Sequence, residues 1–119
     1  MRFLLDTNVC VDFLNSRYPR VGAKLLSSTP GAVAVSSIAV AELRYGADKS
    51  SRPKEYHGRL DLLLEDLRTL EFDLDAGAAY GRLRRALEVR GTPIGPNDML
   101  IAAQALARDL VLVSADVAE

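Results

Sequence analysis

Apolar residues in this chain gather in short unbroken runs, separated by longer stretches with helical spacing. Phe3, Leu4 and Leu5 form the first run, residues 32–35 the second and residues 111–113 the last. Runs without alternation suit strands buried on both faces of a parallel sheet. A further strand is expected over 70–72. Between the runs the spacing predicts helices over 9–14 with Asn8 as cap, 21–27, 38–47 opened by Ser36 and Ser37, 56–70, 76–90 capped by Asp75, and 99–107 capped by Asn97. The stripe Tyr56, Leu60, Leu63, Leu64 and Leu67 marks the buried side of the fourth of these. Tyr18-Pro19, residues 28–31, residues 48–53 and Gly91-Thr92-Pro93 read as breaks and turns. The order β-α-α-β-α-α-β-α-α-β predicts an α/β fold with helices on both faces of a parallel sheet of four or five strands. The helix over 99–107 is almost wholly apolar and is expected to be buried.

Composition narrows the class. A chain of 119 residues with 49% apolar content is one globular domain, spanning residues 1–119. No apolar run approaches membrane-spanning length, and Asp6 and Asp12 interrupt what would otherwise resemble a signal peptide. The single Cys10 rules out an internal disulfide and fits a reducing, cytoplasmic setting, with a buried structural role in an apolar helix start. A net charge of −1 neither announces nucleic-acid binding nor excludes it. Sequestering four acids in one site would leave twelve against fifteen Lys and Arg, a remaining surface of +3. Arg82, Arg84, Arg85 and Arg90 then cluster on one helix as a phosphate-binding patch or a plain solvated face.

The candidate chemistry lies in acids that packing does not explain. Asp6 follows the first strand directly, where open α/β sheets place their ligand crevice. An unpaired buried carboxylate is costly, and a divalent cation is the simplest way to keep it ionised. Glu42 sits among Ile38, Ala41 and Tyr45 on one helix face, an acid inside an apolar stripe. Asp98 begins the most apolar helix, where backbone N–H groups favour the charged form. Asp116 leaves the last strand much as Thr7 and Asn8 leave the first. By contrast Asp61, Glu65 and Asp66 fall outside the stripe of their helix and need no function. His57, the only histidine, lies near an exposed helix start.

Taken in order, LLDTN, SSIAVAEL, GPNDMLIAA and LVSAD resemble the PIN-domain nucleases, most nearly the VapC toxins of bacterial toxin–antitoxin pairs, over essentially the whole chain. The resemblance implies a PIN-like three-layer α/β/α fold and hydrolysis of RNA phosphodiesters with Mg²⁺ or Mn²⁺. It assigns Asp6, Glu42, Asp98 and Asp116 to an acidic catalytic site. Because Mg²⁺ keeps several waters, one or two direct carboxylates suffice. Asp6 and Asp98 are expected to be the metal ligands, with Glu42 and Asp116 acting through waters or a second ion. Thr7, Asn8 and Ser114 would orient carboxylates or metal-bound water. The family admits Asn at the place of Asp116, which leaves open whether that acid tunes the site or is required. Relatives continue past the position of Glu119 into an edge strand. A cognate VapB-type antitoxin and a homodimer are the implied protein partners.

Other readings fare worse. A haloacid-dehalogenase-like phosphatase wants a second acid two residues after the first, where Asn8 stands, and both it and the response-regulator receivers want a lysine after a later strand. Lys24, Lys49 and Lys54 occupy no such place. No glycine-rich turn follows the first strand, as a dinucleotide-binding fold requires. The remaining alternative is a catalytically inactive PIN module acting in dimerisation or RNA binding.

Overall fold

The computed structural model describes residues 2–15, 31–92 and 94–114. The described elements are β1 (Phe3–Leu5), α1 (Thr7–Leu14), β2 (Val33–Ser36), α2 (Ser37–Asp48), α3 (Pro53–Glu65), β3 (Arg68–Leu70), α4 (Leu74–Arg90), α5 (Pro96–Ala107) and β4 (Val111–Val113). The four strands form one parallel sheet in the order β3-β2-β1-β4. Leu5 pairs with Val35 on one side and Val113 on the other, so the carboxyl ends of three strands meet at one edge. The helices flank this sheet in an α/β/α arrangement: α2 packs against α1, α3 and α5, and α4 packs chiefly on α5. The expected class and strand number are thus found. The expected helix over 21–27, the Tyr18-Pro19 break, most of the turn over 28–31, and Asp116 lie outside the described residues.

The apolar runs of β1 and β2 are buried as strands of a covered parallel sheet must be, but that of β4 is not: Val111 and Leu112 are exposed at the edge of the sheet, where only one neighbouring strand is described. All four residues of β2 are buried, and Leu4, Leu43, Leu60 and Ile101 join them in one core. Several boundaries differ from those the pattern predicts. Asp6, not Asn8, caps α1: its Oδ1 accepts from the Val9 N–H at 2.9 Å. The helix over 56–70 is in fact α3, which starts at Pro53 and stops at Glu65. Leu67 continues the leucine stripe past the helix end, so periodicity does not reveal the stop. Pairing of Arg68, Thr69 and Leu70 with β2 takes these residues as strand. Asp73, not Asp75, caps α4 through the Ala76 N–H and also binds Arg108 beyond α5. These two interactions, the backbone bond first, hold its carboxyl below the ordinary range. Gly91 ends α4 in the left-handed region at φ 67°, a conformation that suits glycine. Gly95, not Asn97, caps α5, with Pro96 in its first turn. Only one side of α5 is buried, since Leu106 faces solvent.

His57 has a structural place. Arg44 donates to its Nδ1 at 3.0 Å, so the ring proton sits on Nε2 and donates to Asp48 at 2.7 Å. Arg44 also reaches Asp61 at 2.6 Å, which binds α2 to α3.

Two buried features carry measurable consequences. Ser36 and Gln104 are both fully buried, and they meet across the α5–β2 interface. The Ser36 hydroxyl donates to Gln104 Oε1 and accepts from the Ile38 N–H, while Gln104 Nε2 donates to the Leu70 carbonyl at 2.9 Å. Among the described residues no buried side-chain polar atom lacks a partner. Gln104→Leu strands the Leu70 carbonyl and deprives Ser36 of its acceptor, at a cost of about 1–3 kcal/mol. Urea unfolding should show this as a lowered midpoint with an unchanged slope; a parental midpoint would mean the bridge contributes nothing net. Cys10 lies on the buried side of α1, and its thiol is pushed from 9.0 to about 12, first by burial and second by the negative charge of Asp6. Because ionisation is easier in the unfolded chain, Cys10 disfavours the folded state progressively as pH rises from 9.0 toward about 12. At pH 8 iodoacetamide should label Cys10 in denatured protein and leave it untouched in the native state. Comparable labelling rates in the two states would contradict the burial.

Candidate active site

The candidate site forms where the carboxyl ends of β1 and β4 meet α1 and α5. Asp6 is the first residue after β1. Its backbone N–H donates to the Val113 carbonyl at 3.1 Å, which fixes it to β4. Its side chain caps α1, so the carboxylate sits at the positive end of a helix dipole. With only 7% of its surface exposed, Asp6 needs that support to remain charged.

Asp98 approaches from the first turn of α5. Asp6, Asp98 and Ser114 line one cleft of about 190 Å³, with Ile94, Ile101 and Leu112 among its apolar walls. Two acids more than ninety residues apart in sequence therefore face one space. A Cβ on Gly95 would lie 3.4 Å from Asp98 Oδ2, an ordinary contact that places the N-terminus of α5 beside the carboxylate.

Glu42 comes from the middle of α2. Thr7 Oγ1 donates to Glu42 Oε1 at 2.6 Å. This bond holds Glu42 against the residue that follows Asp6, though Glu42 is not among the residues lining the cleft itself. Asn8 is exposed on α1. Ser114 lies in the cleft wall, just after β4. Among the described residues, no group of three or more His, Cys, Asp or Glu side chains is gathered closely enough to hold a metal ion.

The donor set nevertheless fits a hard divalent cation. Carboxylate and hydroxyl oxygens are the ligands Mg²⁺ prefers, and one or two carboxylates suffice when water completes the shell. No histidine or thiol faces the cleft to favour a softer ion. Ile94 and Ala102 line the site without announcing any chemistry in the sequence.

Comparison with known proteins agrees with this geometry. The PIN domain family model matches residues 3–118. The ribonuclease VapC2 of Rickettsia felis is 38% identical over 120 residues, covering 100% of this chain and 90% of that protein. The tRNA(fMet)-specific endonuclease VapC of Salmonella typhimurium is 33% identical over 119 residues, covering 100% of this chain and 89% of that protein. Among solved structures, VapBC2 from Rickettsia felis bound to a DNA fragment from its promoter superposes with a TM-score of 0.87 at 37% identity, over 96% of this chain and 86% of that one. A family match along nearly the full length, together with acids at the carboxyl edge of a four-stranded parallel sheet, establishes that the chain belongs to the PIN-domain family.

Proposed function

We propose that this chain is a Mg²⁺- or Mn²⁺-dependent endoribonuclease, the toxin of a toxin–antitoxin pair. The observation that carries the reading is the shared cleft of Asp6 and Asp98 at the carboxyl edge of the sheet. The whole-length likeness to VapC ribonucleases supports RNA as substrate, and the likeness to VapBC structures supports a VapB-type antitoxin and a homodimer. No helix of the described residues is long and apolar enough to cross a membrane. The proposed setting is the cytoplasm, where RNA and antitoxin would both be met.

In this reading Asp6 and Asp98 hold the metal. When bound, the ion lowers the pKa of a water and offsets charge on the phosphate. The protein supplies orientation. The α1 N-terminus fixes one oxygen of Asp6 through the Val9 N–H, and the Thr7 hydroxyl fixes one oxygen of Glu42 so that the carboxylate presents a set face to bound water. Ser114 offers a further hydroxyl at the cleft wall. Asp116 and Asn8 are assigned to the same work by their place in the family's motifs. The acids alone would repel an RNA phosphate, and a cation held by Asp6 and Asp98 would offset that charge.

An inactive PIN module is favoured only by the absence of a three-acid group among the described residues. Metal binding separates the two readings, because a binding-only module has no need of Mg²⁺.

Substitution of Asp6 by Asn is a clean test. Asn caps helices about as well as Asp, so α1 should persist while the charge is lost. Asp6→Asn and Asp98→Asn should each abolish Mg²⁺-dependent cleavage of RNA with the far-ultraviolet circular dichroism spectrum retained. Parental cleavage by either folded variant would remove that residue from the site. Thr7→Val should keep the fold and lower cleavage by about 10–100-fold, the usual scale for a residue that orients a metal-binding group. Chelation should stop the reaction, and added Mg²⁺ or Mn²⁺ should restore it. Cleavage that survives exhaustive chelation would overturn the metal dependence.

A further inference from the structure

The acidic cleft does not stand alone. Ile94, in its wall, also lines a second cleft of about 350 Å³ between the C-terminal half of α4 and the first turns of α5. That volume falls within the roughly 300–1,000 Å³ common for small-ligand sites. Its half-buried members are Tyr80, Leu87 and Met99, and its exposed polar members are Arg84, Glu88 and Thr92. The lining therefore changes from apolar and aromatic inside to charged at the mouth. A nucleotide has the same division, with flat base faces and an anionic phosphate.

Arg84 is held in place at this mouth. Its Nη1 donates to Tyr80 Oη at 3.2 Å, and its Nε lies 3.6 Å from Glu88 Oε2. Tyr80 and Glu88 stand one helical turn away on either side, so both contacts orient the guanidinium without using all five of its N–H donors. Along α4 as a whole, four arginines stand against Asp75 and Glu88, which gives this helix a positive balance in a chain of net charge −1. That field attracts a phosphate and disfavours a basic peptide.

We infer that the α4–α5 cleft is a nucleotide subsite, which takes one unpaired nucleotide of the RNA strand next to the bond that is cut. The base lodges against Leu87 and Met99 beside the Tyr80 ring, and its phosphate pairs with Arg84. The strand then crosses Ile94 into the acidic cleft. Unstacked bases resting on aromatic and apolar side chains are the usual means of recognising single-stranded RNA. The inference rests on the ribonuclease reading above, and it gives that enzyme a preference for unpaired RNA.

The test uses the full chain and a fluorescein-labelled single-stranded RNA that the parent cleaves in Mg²⁺. Binding is read by anisotropy in EDTA, and cleavage by initial rates. Arg84→Gln should weaken binding several-fold, reduce the slope of log affinity against log salt by about 1, and raise KM with kcat within about twofold of the parent. Arg59→Gln, on α3 and outside both the cleft and α4, should change neither binding nor slope. Leu87→Ala should weaken binding without altering the salt slope. An abasic position in the RNA that weakens binding to the parent should weaken binding to Leu87→Ala much less. Arg84→Gln with parental affinity and slope, on an active enzyme, overturns the subsite alone. Leu87→Ala and abasic effects that simply add would overturn it as well. A parent that neither binds nor cleaves RNA overturns both the subsite and the ribonuclease reading.

Discussion

A carboxylate at the end of a buried strand has to be stabilised by something, and Asp6 shows how this fold does it. The side chain is almost fully enclosed, yet it accepts from the first turn of α1 while its own N–H is tied to β4. One residue thus joins strand, helix and neighbouring strand, and the cost of burying its charge is met by an aligned helix end. The rest of the site is arranged around that fixed point. Asp98 reaches the same cleft from α5, and Glu42 is held at Thr7, the next residue along. The negative charge is felt as far as Cys10, whose thiol it helps to keep protonated.

Much of this was legible in the order of residues, for definite reasons. Parallel strands buried on both faces read as unbroken apolar runs, as β1 and β2 do; the run of β4 marks a strand in the right place, but one at the edge of the sheet with Val111 and Leu112 exposed. Acids lying just past a strand end, or inside an apolar helix, stand out because burial makes them expensive. Helix limits were harder to read. Asp6 and Asn8 are both good caps, and only the turn of the chain after β1 decides for Asp6. Leu67 keeps the helical period of α3 going after the helix has ended, because the strand that follows buries the same side. Asp73 and Asp75 offer the same ambiguity; Asp73 takes the Ala76 N–H and, in addition, meets Arg108, 35 positions away.

Long-range partners were not legible at all. Gln104 reads as a polar interruption in an apolar helix, and its partner Ser36 reads as a helix cap, which it also is. Nothing local says that the two should meet. Ile94 is silent for another reason, since its part in the site is to form a wall. Asp116 falls outside the described residues, and its role rests on its place in the family's motif order.

The Ser36–Gln104–Leu70 triangle has a wider meaning for α5. Sliding that helix along the sheet by a single turn would orphan a hydroxyl, a carboxamide and a carbonyl together in dry surroundings. Intermediate placements are therefore penalised, and the helix has one register rather than a range. Asp98 rides on the same rigid rod, upstream of Gln104 on α5. The aim of a charged group is in this way set by three neutral ones that never touch it.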